Sequence, residues 1–130
     1  MDKIIKDNIG VSLAGIQYEK IDSTGKNIIE AEDKFSILEV KEDSAKILIE
    51  RKMVADVRNP FELSVKTEVE FRALEGVDLT KHFTLDYIKD HINELSGIPM
   101  SLISALVTQI TGSFGGFPII TPAIFIQKKD

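Results

Sequence analysis

At 130 residues, with a formal net charge of −5 and no cysteine, the chain is sized for one domain around one core. Disulfides, cysteine-ligated zinc and thiol catalysis are excluded, and the acidic balance without a basic stripe argues against nucleic acid. The first ten residues hold no apolar leader segment, and no run approaches the about 18 apolar residues of a membrane helix, so a cytoplasmic protein without membrane insertion is expected.

In chain order, residues 1–10 mix charge with isolated apolar residues and read as a frayed lead-in. Residues 11–21 alternate as a first strand, with Ala14, Ile16 and Tyr18 on one face and Gly15 marking a bulge or a close backbone approach. Residues 22–33 hold Gly, Asn and Ser between charges and read as a connection. A second strand, residues 35–40, is apolar on both faces, so either both sides are covered or one is left for something else. After a turn at 41–44, residues 47–57 form a third strand in which Arg51 and Val54 break the alternation. Arg58, Asn59 and Pro60 then make a turn.

The cleanest pattern follows. Phe61, Leu63, Val65, Thr67, Val69, Phe71 and Ala73 alternate with polar residues, which requires one buried and one wet face, as in an antiparallel sheet. The five large apolar side chains of that face are worth on the order of 10 kcal/mol before chain entropy is subtracted, which makes this strand central.

The period then becomes helical. Thr84 caps a helix carrying Leu85, Ile88, Ile92 and Leu95; Gly97 stops or bends it; Pro99 restarts it with Leu102, Ile103, Leu106, Val107 and Ile110 up to Gly112. Two separate helices and one kinked helix both fit. Past the glycines of Ser113 to Gly116, the run 117–126 cannot be a central strand, because Pro118 and Pro122 each remove a ladder donor. It should lie extended across the sheet or the helix.

No chemistry emerges from the titratable residues. His82 and His91 stand nine apart without a ligand-spaced partner, and Glu30 with Glu32, like Glu68 with Glu70, sits where strands and turns present carboxylates to water. Gly112, Gly115 and Gly116 follow a helix instead of opening one and lack the Lys and Ser or Thr of a phosphate loop. The expectation is a non-enzyme with no catalytic residue, no metal and no cofactor. What remains is apolar surplus: Phe114, Phe117, Ile119, Ile120, Ile124, Phe125 and Ile126 lie within thirteen residues. They either close the core over the sheet or form an exposed groove, which a soluble protein keeps when it binds something.

Four strands, a Pro99-started helix, the turn Gly116-Phe117-Pro118 and the ending Pro122-Ala123-Ile124-Phe125 together resemble the SecB-type protein-export chaperones and their shorter SecB-like relatives. The resemblance implies an α+β fold, a four-stranded antiparallel sheet followed by a long or kinked C-terminal helix pair and an extended Pro-containing segment, in a single domain over residues 1–130. It also implies a homodimer or homotetramer that binds non-native polypeptides in apolar grooves, with Phe35, Ile37, Ile92, Phe117, Ile119 and Phe125 as groove residues. The segment between Pro118 and Pro122 is shorter than in the export chaperones, and the sequence stops at 126–130 where those continue into a second helix and an acidic tail that engages the secretion ATPase. Contact with that ATPase is therefore the weaker expectation, and a non-catalytic adaptor or structural homo-oligomer with one specific partner is the alternative.

Overall fold

In a computed structural model, which describes residues 3–127, the alternation of Phe61–Arg72 becomes β4, whose inward residues Phe61, Leu63, Val65, Thr67, Val69 and Phe71 are all buried. β4 pairs antiparallel with β1 (Gly10–Lys20) on one side and β3 (Ser44–Ala55) on the other, and β2 (Ile29–Val40) flanks β3. The order β1-β4-β3-β2 puts the two most evenly alternating strands at the centre and leaves β1 and β2 as edges.

Two local irregularities set which apolar residues face inward. In β1 the register shifts between Leu13 and Gly15, so Ala14 is the extra residue of a bulge. Leu13, not Ala14, therefore shares the inner face with Ile16 and Tyr18, opposite Thr67, Val65 and Leu63. In β2 a second shift between Ile37 and Glu39 makes Leu38 the extra residue. That resolves the apolar run on both faces: Phe35 and Ile37 point inward, and Leu38 stands exposed.

Two further expectations need correction. Residues 29–33 are strand rather than connection, because Glu30 and Glu32 fall on the outer face while Ile29, Ala31 and Asp33 oppose the inward residues Ala55, Met53 and Arg51 of β3. Their charges were period-two strand chemistry and not a loop signature. The remaining connection is organised by Asp56, whose carboxylate accepts from the Ser23 hydroxyl at 2.9 Å and from the backbone N–H groups of Thr24 and Lys26. The lead-in is likewise not frayed over its described part. Ile4 and Ile5 are buried, Ile5 bridges Ala73, and Lys6 N–H donates to the Arg72 carbonyl at 2.8 Å. Residues 1–2 of that lead-in, and 128–130 at the other end, lie outside the described residues.

Three helices follow. α1 (Leu79–His82) is one turn capped by Asp78. α2 (Leu85–Leu95) starts at Thr84, whose hydroxyl accepts from Tyr87 N–H at 3.2 Å, and buries Ile88, Ile92 and Leu95. Inside it, His91 departs from helical geometry at φ −120°, and its Nδ1 lies 2.8 Å from the Tyr87 carbonyl left behind by the kink. Ser96 separates α2 from α3 (Gly97–Phe114), so the pair is two helices. α3 packs over β4 through Met100, Ile103 and Val107. It carries no charge and, at mean hydropathy 1.2 over 18 residues, is long and apolar enough by composition to cross a bilayer. One side of it, with Met100, Ile103 and Val107, closes the core, while Ile98, Leu102 and Phe114 stand exposed.

Candidate functional site

After α3 the chain reverses. Gly115 is required by space, since a Cβ there would stand 2.9 Å from the Thr111 carbonyl and 3.2 Å from the Phe61 ring, and Gly116 takes φ +93°, which favours glycine. Residues 117–126 then run as a strap that belongs to no strand and bends at Phe117 and again at Ala123 and Ile124, so it is extended only in part; outside a ladder, the missing N–H groups of Pro118 and Pro122 cost it nothing. Its polar groups are met by side chains instead of a ladder.

One set of anchors is a ridge of hydroxyls on α3, spaced four and three apart so that they share a side of the helix. Ser104 donates to the Thr121 carbonyl at 2.7 Å, Thr108 donates to the Ile119 carbonyl at 3.0 Å, and Thr111 accepts from Ile119 N–H at 2.7 Å. The other anchor comes from the sheet. Arg51 of β3 and Asp33 of β2, directly paired in register, form a fully buried two-pronged ion pair, Nε to Oδ1 at 2.8 Å and Nη2 to Oδ2 at 2.7 Å. The remaining guanidinium protons reach the strap: Nη1 donates to Thr121 Oγ1 at 2.8 Å and to the Pro122 carbonyl at 2.6 Å, and Nη2 to the Ile124 carbonyl at 2.9 Å. Asp33 Oδ2 accepts from Ile126 N–H at 2.6 Å. Five donors in a planar fork suit this task as a lysine would not.

The six groove residues expected from sequence divide by depth. Ile92 (2% exposed), Ile119 (8%) and Phe125 (7%) are part of the core. Phe35 is half-buried and meets the edge of Phe125 at 6.0 Å between ring centres. Ile37 (38%) and Phe117 (43%) are exposed. The fold therefore brings Phe125 of the strap onto Phe35 of β2, with Ile37 further along the same face, whereas Phe117 sits at the strap's start beside Arg58 and Asn59, and Ile92 is on the buried side of α2.

Sequence reasoning missed Ile29 and Leu38, and it placed Ile124 in the apolar surplus without naming it as a groove residue; all three are exposed. At β2 an open cleft of about 670 Å³ is lined by the charged Glu30, Glu32 and Lys52 as well as by Ile29, Ala31, Val54 and Ile126. It also missed the Arg51–Asp33 pair. The signal was present, because Arg51 interrupts an apolar face, but its partner stood in a segment read as a loop.

Elsewhere the titratable groups do local work. Hydrogen bonds, first from the Thr24 hydroxyl and then from Ser23 and backbone amides, hold the Asp56 carboxyl below its ordinary value against the opposing effect of burial. The Thr80 hydroxyl does the same for Asp78 at its cap. Burial raises Tyr87, with Glu94 adding to it. Among the described residues, no group of three His, Asp and Glu side chains is placed to hold a metal ion.

No family model matches the chain, and no curated protein matches it in sequence. Solved structures do. A Mycobacterium tuberculosis SecB-like chaperone, solved in complex with a peptide from the HigA1 antitoxin, superposes with a TM-score of 0.69 at 14% identity, over 92% of this chain and 86% of that one. A Streptococcus agalactiae protein of unknown function matches with a TM-score of 0.47 at 14% identity, over 88% of this chain and 96% of that one. The four-stranded antiparallel sheet followed by C-terminal helices, already built from the residues, is the SecB-like fold.

Proposed function

We propose that this chain is a SecB-like chaperone that binds unfolded or partly folded polypeptides without catalysis or cofactor. The observation that carries the reading is the apolar margin of β2: Ile29, Ile37, Leu38 and Ile124 stand exposed along an edge strand whose outer main-chain groups have no neighbouring strand, beside an open cleft. An extended client gains main-chain hydrogen bonds at such an edge and lays alternate side chains against apolar surface, which gives broad selectivity. That the structural neighbour was solved with a bound peptide supports polypeptide binding here. In this reading Phe35 and Ile37 form the groove floor, with Phe125 packed against Phe35, while Phe117 and Ile92 lie away from it.

The opposite edge suits self-association. Leu13 and Ile16 of β1 are exposed on the inner face, as are Leu102 and Phe114 of α3, and the Phe114 ring lies 6.2 Å from that of Tyr18 on β1. A homodimer or homotetramer would cover them. The narrower form of the reading is a cytoplasmic role in protein export with hand-over to the secretion ATPase, tested by whether that ATPase co-purifies with the client-loaded protein.

The test is suppression of aggregation of a reduced, slow-folding client, with binding of a hydrophobic dye read in parallel. Wild type protects. Ile37→Glu and Ile124→Glu, both at exposed positions, lose protection without losing far-UV circular dichroism, whereas Lys66→Glu on the outer face leaves it intact. A native protein that neither binds dye nor protects refutes the chaperone reading. It would favour instead a non-catalytic adaptor or structural homo-oligomer with one specific partner, for which the burial of Ile119 and Phe125 is the supporting observation.

A further inference from the structure

We propose that the strap is a displaceable self-ligand: Arg51 and Asp33 form a main-chain clamp, and residues 121–126 occupy the place a stretch of client takes. This rests on the polypeptide-binding reading and specifies its site. The clamp's contacts fall on Pro122 O, Ile124 O and Ile126 N, main-chain groups two residues apart on a segment that bends at Ala123 and Ile124, and the Thr121 hydroxyl is its one side-chain contact among the described residues. Groups that hold a segment by its backbone read little of its sequence, and proline is accepted at both carbonyl positions though not at the N–H position. That is the recognition a chaperone for many clients needs.

A buried ion pair is also a poor way merely to close a core. Apolar residues of similar volume do so at equal or lower free energy, because two ions need not then leave water. What the pair adds is polar atoms that fit a backbone. The strap, for its part, is held in a way that permits exchange. It shares no strand ladder with the sheet, its polar contacts end on three hydroxyls and one ion pair, and Phe125 against Phe35 is its aromatic contact with the sheet. An incoming segment offering two carbonyls, one N–H and one large apolar side chain replaces residues 122–126 contact for contact. Beside them, the cleft walled by Ile29, Ala31 and Ile126 gives the client a first hold before the strap leaves.

The experiment follows amide hydrogen exchange in the wild-type protein with and without a permanently unfolded client, reduced and carboxymethylated α-lactalbumin, whose binding is read separately by fluorescence anisotropy. With client saturating, the amides of Ile124 to Ile126 exchange at least tenfold faster, while those of Val65 to Val69 in β4 do not change. Bound client with unchanged or slower exchange at Ile124 to Ile126 overturns the proposal and leaves the chaperone reading standing. No client binding at all overturns both. Two variants separate clamp from strap. Phe125→Ala loosens the strap but keeps the clamp, and tightens client binding several-fold; Arg51→Met frees the strap but removes the clamp, and weakens binding. Both variants shifting affinity in the same direction would mean that the strap only covers apolar surface, against the proposal.

Discussion

Replacing Arg51 by Met tests how the strap is held. The substitution preserves much of the side-chain volume but leaves the buried Asp33 with a single hydrogen-bond donor, Ile126 N–H, and deprives Thr121, Pro122 and Ile124 of theirs. Breaking a buried pair from one side costs about 3 to 5 kcal/mol. The chain has an escape, since the strap can detach and let water reach Asp33. Detachment gives up the burial of Ile119 and Phe125, about 1.5 to 3 kcal/mol each, so the two routes cost similar amounts and the loss settles near about 4 kcal/mol. Urea unfolding followed by far-UV circular dichroism at fixed protomer concentration measures it. The double variant Arg51→Met, Asp33→Leu removes both charges and is expected to recover at least half of the loss, because no ion is then left buried without a partner. A single variant within about 1 kcal/mol of wild type, or a double variant no better than the single one, would refute the reasoning.

Thr67→Val should stabilise the protein by about 1 kcal/mol in the same assay, because Thr67 Oγ1 is buried without a hydrogen-bond partner among the described residues and a methyl group removes that cost. Gly115→Ala should cost about 1 to 3 kcal/mol, since its Cβ would press on the Thr111 carbonyl 2.9 Å away, which is backbone and cannot step aside. The Asp56 carboxyl is depressed in the folded state, so its contribution is present above the unfolded value of about 3.9 and is lost as pH falls through the lower folded value. The stability gap between wild type and Asp56→Asn should therefore be constant near neutrality and shrink below about pH 4; a gap that widens on acidification contradicts the hydrogen-bond account. Thr84→Ala, which strips the cap of α2, should cost about 1 kcal/mol.

Much of the framework was legible in the residues. The alternation of residues 61–73 read directly as a central strand, since period two and burial on one face are the same statement. Thr84, Gly97 and Pro99 marked the helix boundaries through capping and backbone rules that act within a few residues. The strap was recognisable as lying outside the sheet, because prolines remove donors wherever they stand, but its bends at Ala123 and Ile124 were not. The errors came where local chemistry carries two meanings. Glu30, Glu32 and Asp33 look like a loop until Lys52 and Arg51 lie opposite them, and Ile4 and Ile5 look solitary until the end of β4 gives them a neighbour.

The candidate site divides along the same line. By itself, the sequence determined that the strip from Phe117 to Ile126 is apolar and unable to form a central strand, and that Arg51 stands on an otherwise apolar face. Only the tertiary structure decided that Asp33, eighteen positions away, neutralises that arginine, that the remaining guanidinium protons and the α3 hydroxyls grip the strap by its backbone, and that Ile119 and Phe125 turn inward while Ile124 turns out. The reason is physical. Alternation and capping are settled by interactions between near neighbours, but a strap with no ladder takes its side-chain directions from whatever lies beneath it, and that surface exists only once β2, β3 and α3 are in place.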